Sequence, residues 1–598
     1  MSSVLSLKCK GEEKFIEINF EDVSLSVDLE EFGINNNVRL SEIKTSQKSK
    51  LIEYLKVDTR KFFLYTSKSN ILYLTDNINR FLRVRQNWRC KITNNHIYFY
   101  GKLTNIQYKV PDFDNVFLNG EFCTKIKRFS NRPKFKNLFM FKIKISDILE
   151  TGEIHNSLRI GNNLDFSIPL LIKSNDTGRM KYLAQKKVGD NYILVRSVFD
   201  GNKIRITNIK FNPEYKKTNL LKNSIAYNLS KIIKNKKINL MFEKETSRAC
   251  ESGYYSFEKI MERQSQTDLN SKTFFVIDKN APEYSQLKSK YGKNIVAKYS
   301  FRHYLYIYLS KYFISSELSN HVINPRLYIA NLNQCISTKP LIFLQHGIMF
   351  SKPVDNPAAA NFRKDTNTVN FYKSIISSDL EATQFYKCGF EDEDLIKCGL
   401  PKFDISKLND DADKIMVMLT YRYWEESFVL DEEKIKETTY YKAYMRLLKA
   451  FEENDLLDKL LISCHPKFTD FLMNLNPKYA ACVENDIAKA LAESKIYITD
   501  YSSASYDAHY RGAYIIYDWE EKDYLIENYK AIPPINEDNC DGVPVFSMDQ
   551  LIDEVKKAID NDYVMDEKYE ERYAKINEFR DGKNGDRLVD ELIRLDVL

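Results

Sequence analysis

The chain has 598 residues, 43% of them hydrophobic and 29% charged, with a formal net charge of +6. That length exceeds the roughly 250 to 300 residues at which a single core stops growing, so several domains are expected. The charge is small for the length and no nucleic-acid partner is expected. Apolar stretches such as Tyr304 to Leu309 end well short of the roughly 18 residues that cross a bilayer, and Met1 to Lys10 lacks the apolar core of a secretory signal, so a cytoplasmic chain is expected.

Up to about Phe211 the pattern is one of short strands with turn punctuation. Lys61 to Thr75 alternates around Ser67-Lys68-Ser69-Asn70, and Tyr192 to Ile209 alternates around Asp200-Gly201-Asn202. These hairpins predict two β-rich domains, residues 1–87 and 88–212. Nothing in them looks catalytic. They are expected to be an interaction module, with a basic cluster (Lys125, Lys127, Arg128, Arg132, Lys134, Lys136) facing an anionic polymer or a lipid surface, or solvent alone.

Residues 213–237 read as a basic amphipathic linker helix. Leu220, Leu221, Ile225, Leu229, Ile232 and Ile233 fall at helical spacing, and the segment from Lys216 to Lys237 holds seven lysines and no acid. Such a helix packs on a neighbouring domain with its lysines in water, or lies on an anionic membrane surface.

From Ile238 onward short apolar runs alternate with helical segments, which argues for parallel sheets covered by helices. The expected strands are Thr273–Asp278, Pro340–Gln345, Lys373–Ser377, Ile415–Thr420, Leu460–Ser463, Ile496–Thr499 and Tyr514–Tyr517. A break near Asn409-Asp410-Asp411 divides them. The fold class is therefore α/β, of the GT-B type, with two Rossmann-like lobes (residues 238–408 and 409–598) after N-terminal all-β domains. The charged helical segment Tyr569 to Leu598 is expected to pack back across the lobes.

Open parallel sheets bind ligands beyond the carboxyl ends of their strands. Four post-strand positions meet that test: His346-Gly347, Arg422, His465-Pro466-Lys467, and Thr499-Asp500-Tyr501-Ser502-Ser503. Two of only seven histidines thus occupy equivalent strand ends, and with Arg422 and Lys467 they make a cationic cleft suited to a diphosphate. Gly347 lets backbone approach a ligand. Ser502 and Ser503 stand where a strand gives way to a helix, either as plain caps or with the helix's free N–H groups turned to an anion. Asp507 lies one turn further on the same helix face, where it could hold a sugar or polyol hydroxyl or brace the loop.

These residues resemble the CDP-glycerol glycerophosphotransferases that build teichoic acids and related capsule polymers. The resemblance covers about residues 238–559. It rests on Gln345-His346-Gly347, Ser377-Ser378-Asp379, Gly399-Leu400-Pro401-Lys402-Phe403-Asp404, Thr420-Tyr421-Arg422, His465-Pro466, and Thr499-Asp500-Tyr501-Ser502-Ser503 followed by Asp507. It implies that His346 acts at the reacting phosphate or as general base, and that Arg422, His465, Ser502, Ser503 and Asp507 hold a CDP-polyol donor. The acceptor would be lipid-linked or polymeric and phosphate-rich, CMP would be released, and the protein would work on the inner face of the plasma membrane. Gln345 replaces the family's usual tryptophan, Ile348 and Met349 replace Thr-Pro, and Leu419 to Arg422 replaces Pro-Thr-Trp-Arg, which leaves glycerol, ribitol or another polyol open.

Two other readings share the diphosphate pocket: a GT-B glycosyltransferase using a nucleotide sugar, and a scaffold that binds a nucleotide without turnover. Cysteines are scattered without a Cys-x-x-Cys pair, and Cys388 and Cys398 stand too far apart for a zinc ribbon, so reduced thiols and no protein metal site are expected. A divalent cation carried by the substrate diphosphate would leave no mark in the sequence.

Overall fold

A computed structural model of the chain describes every residue except 1–5, 11–14, 21–22, 30, 33–36, 45–50, 58–59, 78–83, 106–113, 129–137, 162–163, 165–166, 172–181, 198–202, 234–236, 357–361, 365–368, 429–431, 466–467, 470–471 and 473–475. It forms two compact units, Met1–Asn212 and Pro213–Leu598.

The first unit is built from antiparallel sheets. The strand Arg60–Thr66 pairs with Ile71–Thr75, and Asn191–Ser197 pairs with Ile204–Lys210, which makes both expected hairpins. Period-two alternation places Phe62 and Leu64 in one hydrophobic core, while Phe63 and Tyr65 face a second. The all-β expectation is corrected at one place: Ile145–Glu150 is a short helix that buries Ile145 and Ile148. Of the basic cluster, Arg132, Lys134 and Lys136 lie outside the described residues.

The second unit opens with helix α1, Lys217–Ser230, shorter than the linker helix expected over 213–237. Its buried side is polar. Asn219 donates to the Pro213 carbonyl at 2.9 Å, and Asn223 accepts from the Tyr308 hydroxyl at 2.6 Å. The predicted apolar stripe is therefore not what packs: Leu221, Ile225 and Ile232 are 62%, 50% and 75% exposed. Satisfied asparagines pack inward because each buried amide finds a partner, and the leucine and isoleucines are left facing water.

Next comes a seven-stranded parallel sheet. Its strands are β1 (Ile238–Phe242), β2 (Lys272–Ile277), β3 (Ile295–Ala297), β4 (Tyr312–Ser315), β5 (Leu341–Phe343), β6 (Phe371–Ile376) and β7 (Leu395–Lys397), in the order β3-β2-β1-β4-β5-β6-β7. A five-stranded parallel sheet follows: β8 (Lys414–Val417), β9 (Leu460–Ile462), β10 (Ser494–Thr499), β11 (Tyr514–Asp518) and β12 (Val543–Val545), ordered β9-β8-β10-β11-β12. The order reverses between β1 and β4 and again between β8 and β10, so each sheet is doubly wound with its own switch point. This is the two-lobed α/β fold expected. The seven expected strands are present with shifted ends, and β1, β3, β4, β7 and β12 are additional.

Both faces of each sheet are covered, so strands are buried on alternate sides. Leu240 and Phe242 enter one core while Met241 enters another, and that second core continues into the C-terminal lobe through Met416, Tyr497 and Tyr517. Further helices are α2 (Ser252–Gln266), α3 (Asp379–Lys387), α4 (Ala504–Arg511), α5 (Glu567–Ile576) and α6 (Asn584–Arg594). Helix α6 returns to the N-terminal lobe, where the Asp404 carboxylate caps it by accepting from the N–H groups of Asn584 and Gly585 at 2.8 and 2.7 Å. A Cβ on Gly399 would stand 2.5 Å from the Asn584 side chain, so glycine is required at that crossing.

Candidate active site

Loops at the carboxyl ends of the two sheets touch. A Cβ built on Gly347 would lie 3.0 Å from the Ser503 hydroxyl. The loop after β5 thus meets the start of α4, and glycine is needed there for close approach.

His346 is presented by a backbone anchored on both sides. Gln345 takes the left-handed conformation (φ 53°), and its buried amide donates to the Ile375 carbonyl at 2.5 Å. Glu381 of α3 accepts from the N–H groups of Met349 and Ser377 at 2.7 and 2.6 Å. Burial pushes that carboxyl up to about 7, against the backbone N–H groups that favour its charge. Ser378 caps the same helix.

His346 is exposed to solvent, although much protein lies close around it. Burial, then the ammonium groups of Lys402, Lys352 and Lys244, push it down to about 4. At neutral pH it is uncharged and carries a free lone pair.

Lys402 links the lobes. Its ammonium donates to the His346 carbonyl at 2.8 Å and pairs with Asp507 at 3.1 Å and Glu251 at 3.4 Å. Burial opposes the charge on Lys402, but Glu251 and Asp507 outweigh it and raise the pKa. Asp507 also accepts from Arg511 at 2.8 Å. Burial works against its ionisation, yet Lys402 and Arg511 hold it below the ordinary carboxylate range. Asp507 is thus already paired, across the lobes and along its own helix.

On the C-terminal wall, Asp500 is buried and ties two strand ends together, accepting from the N–H groups of Thr420 and Tyr501 at 2.7 and 2.5 Å. Its second oxygen has no hydrogen-bond partner among the described residues. Ser502 accepts from the Ala504 N–H at 3.4 Å; Ser503 holds the cap position of α4 without a capping bond, its hydroxyl turned to Gly347.

Arg422 is 2% exposed and pairs with Glu521, which also meets Arg446 at 3.0 Å. Its Nε and Nη1 are buried without hydrogen-bond partners among the described residues. Buried donors left open in this way are what an anion would satisfy. The His465 ring stacks on Tyr421 at 3.8 Å, and burial followed by Lys244 lowers its pKa. Lys467 lies outside the described residues. Among the described residues no group of three or more His, Cys, Asp or Glu gathers to hold a metal ion.

Sequence reasoning brought His346, Gly347, Ser503 and Asp507 to one place but passed over Glu381, Lys402, Lys352 and Lys244. Lys402 stands inside a run quoted for the family resemblance. Lys244 follows β1, a strand whose short apolar run was not singled out. Lys352 carries no local signal.

The profile of a family described as CDP-Glycerol:Poly(glycerophosphate) glycerophosphotransferase matches residues 225–594. The minor teichoic acid biosynthesis protein GgaB of Bacillus subtilis (strain 168) is 24% identical over 352 residues. That stretch is 54% of this chain and 37% of GgaB, so the chain matches little more than a third of that relative's length. Among solved structures, the wall teichoic acid polymerase TagF aligns at 15% identity with a TM-score of 0.42, over 64% of this chain and 98% of that one. A Methanocaldococcus jannaschii UDP-GlcNAc 2-epimerase aligns at 13% identity with a TM-score of 0.36, over 60% and 99%.

Proposed function

The chain belongs to the CDP-glycerol:poly(glycerophosphate) glycerophosphotransferase family, and from that premise we propose that it moves a polyol phosphate from a CDP-activated donor onto a growing teichoic-acid-like or capsular polymer, releasing CMP. One observation carries the reading: the loop that bears His346 meets the start of α4 at Ser503 and holds the Lys402 ammonium on its own carbonyl, so a neutral imidazole stands beside a helix N-terminus and fixed positive charge. Phosphoryl transfer needs little covalent chemistry from the protein. It needs a base at the attacking hydroxyl and fixed positive charge around the phosphates.

In this scheme the acceptor hydroxyl gives its proton to His346 as its oxygen bonds to the donor's β-phosphorus. The bond between that phosphorus and the bridging oxygen breaks, and CMP departs with the bridging oxygen. The open Nε and Nη1 of Arg422, His465, the hydroxyls of Ser502 and Ser503 and the Ser503 N–H group hold the donor. Gly347 keeps the approach to His346 open. Asp500 and Asp507 support the site from behind, Asp500 by fastening β8 to β10 and Asp507 through Lys402. A divalent cation, if the donor brings one, would be held by its diphosphate.

No helix among the described residues is long and apolar enough to cross a membrane. The exposed Leu221, Ile225 and Ile232, with lysines on the same segment, support attachment of the chain to the inner face of an anionic membrane, where a lipid-linked acceptor would lie.

The test is CMP release from CDP-glycerol and CDP-ribitol in the presence of a polyol-phosphate acceptor. Wild type should release CMP, and His346→Ala should lose at least roughly a hundredfold in kcat, the usual size of a general-base contribution. A preference for UDP- or GDP-sugars would give the nucleotide-sugar reading instead. Tight CDP binding without turnover would make the chain a scaffold.

A further inference from the structure

Lys244 lies at the switch point of the N-terminal sheet. It leaves β1 directly, opposite the loop after β4, where the strand order reverses and a crevice opens. Its backbone is firmly held. Buried Glu243 accepts from the N–H groups of Cys250, Glu251 and Tyr254 at 2.9, 2.9 and 2.7 Å, Asp278 donates its N–H to the Thr246 carbonyl at 2.7 Å, and Lys298 donates to the Glu245 carbonyl at 2.5 Å. Its side chain, by contrast, is exposed, with no hydrogen bond or ion pair among the described residues.

Lys244 leaves the same carboxyl edge of the parallel sheet as His346, and its charge acts on His346 in one lobe and on His465 in the other. It also acts on Glu251, Glu317 and His321, none of which it meets within ion-pair distance. Lys352, which likewise has no hydrogen bond or ion pair among the described residues, feels the charge of Asp500 on the C-terminal lobe.

We propose that Lys244 is the floor of a second anion subsite, one that takes a phosphodiester of the acceptor rather than the diphosphate of the donor. The inference rests on the phosphotransferase reading above. In displacement at phosphorus the attacking and leaving oxygens are roughly in line, so acceptor and departing CMP lie on opposite sides of the phosphoryl group. The donor's side is the C-terminal wall at Arg422 and Ser502-Ser503, with Lys352 beside Asp500. Lys244 lies two strand positions from His346, about 10 Å at the usual spacing between strands. An acceptor whose hydroxyl sits at His346 and whose nearest phosphate is a few bonds away puts that charge within reach of the lysine. A neutral acceptor makes no use of it.

The test compares two acceptors on the full-length protein: a glycerol phosphate trimer and an uncharged alkyl glycerol. For Lys244→Met, KM for the trimer should rise about tenfold, with a flatter dependence on salt, while KM for the alkyl glycerol and the affinity for CDP stay within twofold. Lys244→Arg should restore most of the trimer affinity. If CDP binding weakens by the same factor, or both acceptors suffer equally, Lys244 serves the donor or the fold and the proposal is overturned. If wild type turns over no CDP-polyol, the phosphotransferase reading fails by itself. Calorimetry of the trimer against wild type and Lys244→Met then still decides the subsite: equal binding sinks it, a tenfold difference upholds it.

Discussion

The Lys402 ammonium donates to the carbonyl oxygen of His346 at 2.8 Å, and does so from within a pair of carboxylates, Glu251 and Asp507, that come from different lobes. One largely buried cation thus holds the His346 loop of the first lobe against helix α4 of the second. Lys402→Met would strand Asp507 with Arg511 alone and leave Glu251 without a cation. Removing one partner of a buried ionic cluster costs roughly 3 to 5 kcal/mol. Chemical denaturation of the variant should show a loss of that order, and kcat should fall more than tenfold because the His346 loop is no longer fixed. Lys402→Arg should recover less than half of either, since a planar guanidinium does not fit a site built around a point charge. Unchanged stability and kcat in Lys402→Met would remove the latch from the mechanism.

The pH dependence of turnover follows from the same charges. In the free protein His346 sits near 4, pushed down by burial and then by Lys402, Lys352 and Lys244. A bound diphosphate neutralises part of that positive field, so the imidazole should regain basicity in the complex. The acid limb of kcat/KM reports the free protein and should fall near pH 4; the limb of kcat reports the complex and should lie at clearly higher pH. In Lys352→Met the kcat/KM limb should itself move upward, because a cation that disfavours imidazolium has gone. Coincident limbs in wild type would count against His346 as the base.

The two-lobed α/β fold was legible because its signals are local. Apolar runs such as Phe274-Phe275-Val276-Ile277 alternate with helical stretches, and burial on both faces demands that composition. His346, Arg422, His465 and Ser502-Ser503 were legible because each directly follows such a run. The packing of α1 was not. Its hydrophobic spacing pointed Leu221 and Ile225 inward, whereas the structure buries Asn219 and Asn223, whose partners Pro213 and Tyr308 lie elsewhere along the chain. Lys402 was hidden for a related reason: its three acceptors, two carboxylates and a carbonyl, come from residues 251, 507 and 346, and no sequence window contains them together. A carboxylate one turn into a helix, as at Asp507, says nothing of the cation that meets it from the other lobe.

The C-terminal lobe holds one further charge relation whose effect on stability has a definite pH window. His509 of α4 is fully buried; its Nδ1 meets Asp541 at 2.8 Å and its Nε2 meets Glu570 of α5 at 3.2 Å, while Tyr573 stacks on the ring at 4.0 Å. The Tyr517 hydroxyl donates to the other oxygen of Asp541 at 2.7 Å, and Arg580 pairs with Glu570 at 2.6 Å. Burial disfavours the imidazolium, but Asp541 and Glu570 outweigh it, so the folded-state pKa of His509 is raised. A raised pKa means stability that is complete below the unfolded value of 6.5 and is lost as pH climbs through the folded value. Glu570, held down to about 2 chiefly by His509, contributes in the opposite sense: its share is present above about 4.5 and fades as pH falls toward 2. The two together predict a plateau between about pH 4.5 and 6.5. His509→Gln should lower unfolding free energy by about 3 kcal/mol on that plateau, the scale for breaking a buried ion pair. The deficit should shrink as pH rises beyond it, because wild type then loses the proton that the variant never bound. Denaturant titrations at pH 5.5 and pH 9 decide the matter: a deficit of equal size at both would mean that His509 acts through packing on Tyr573 and not through charge.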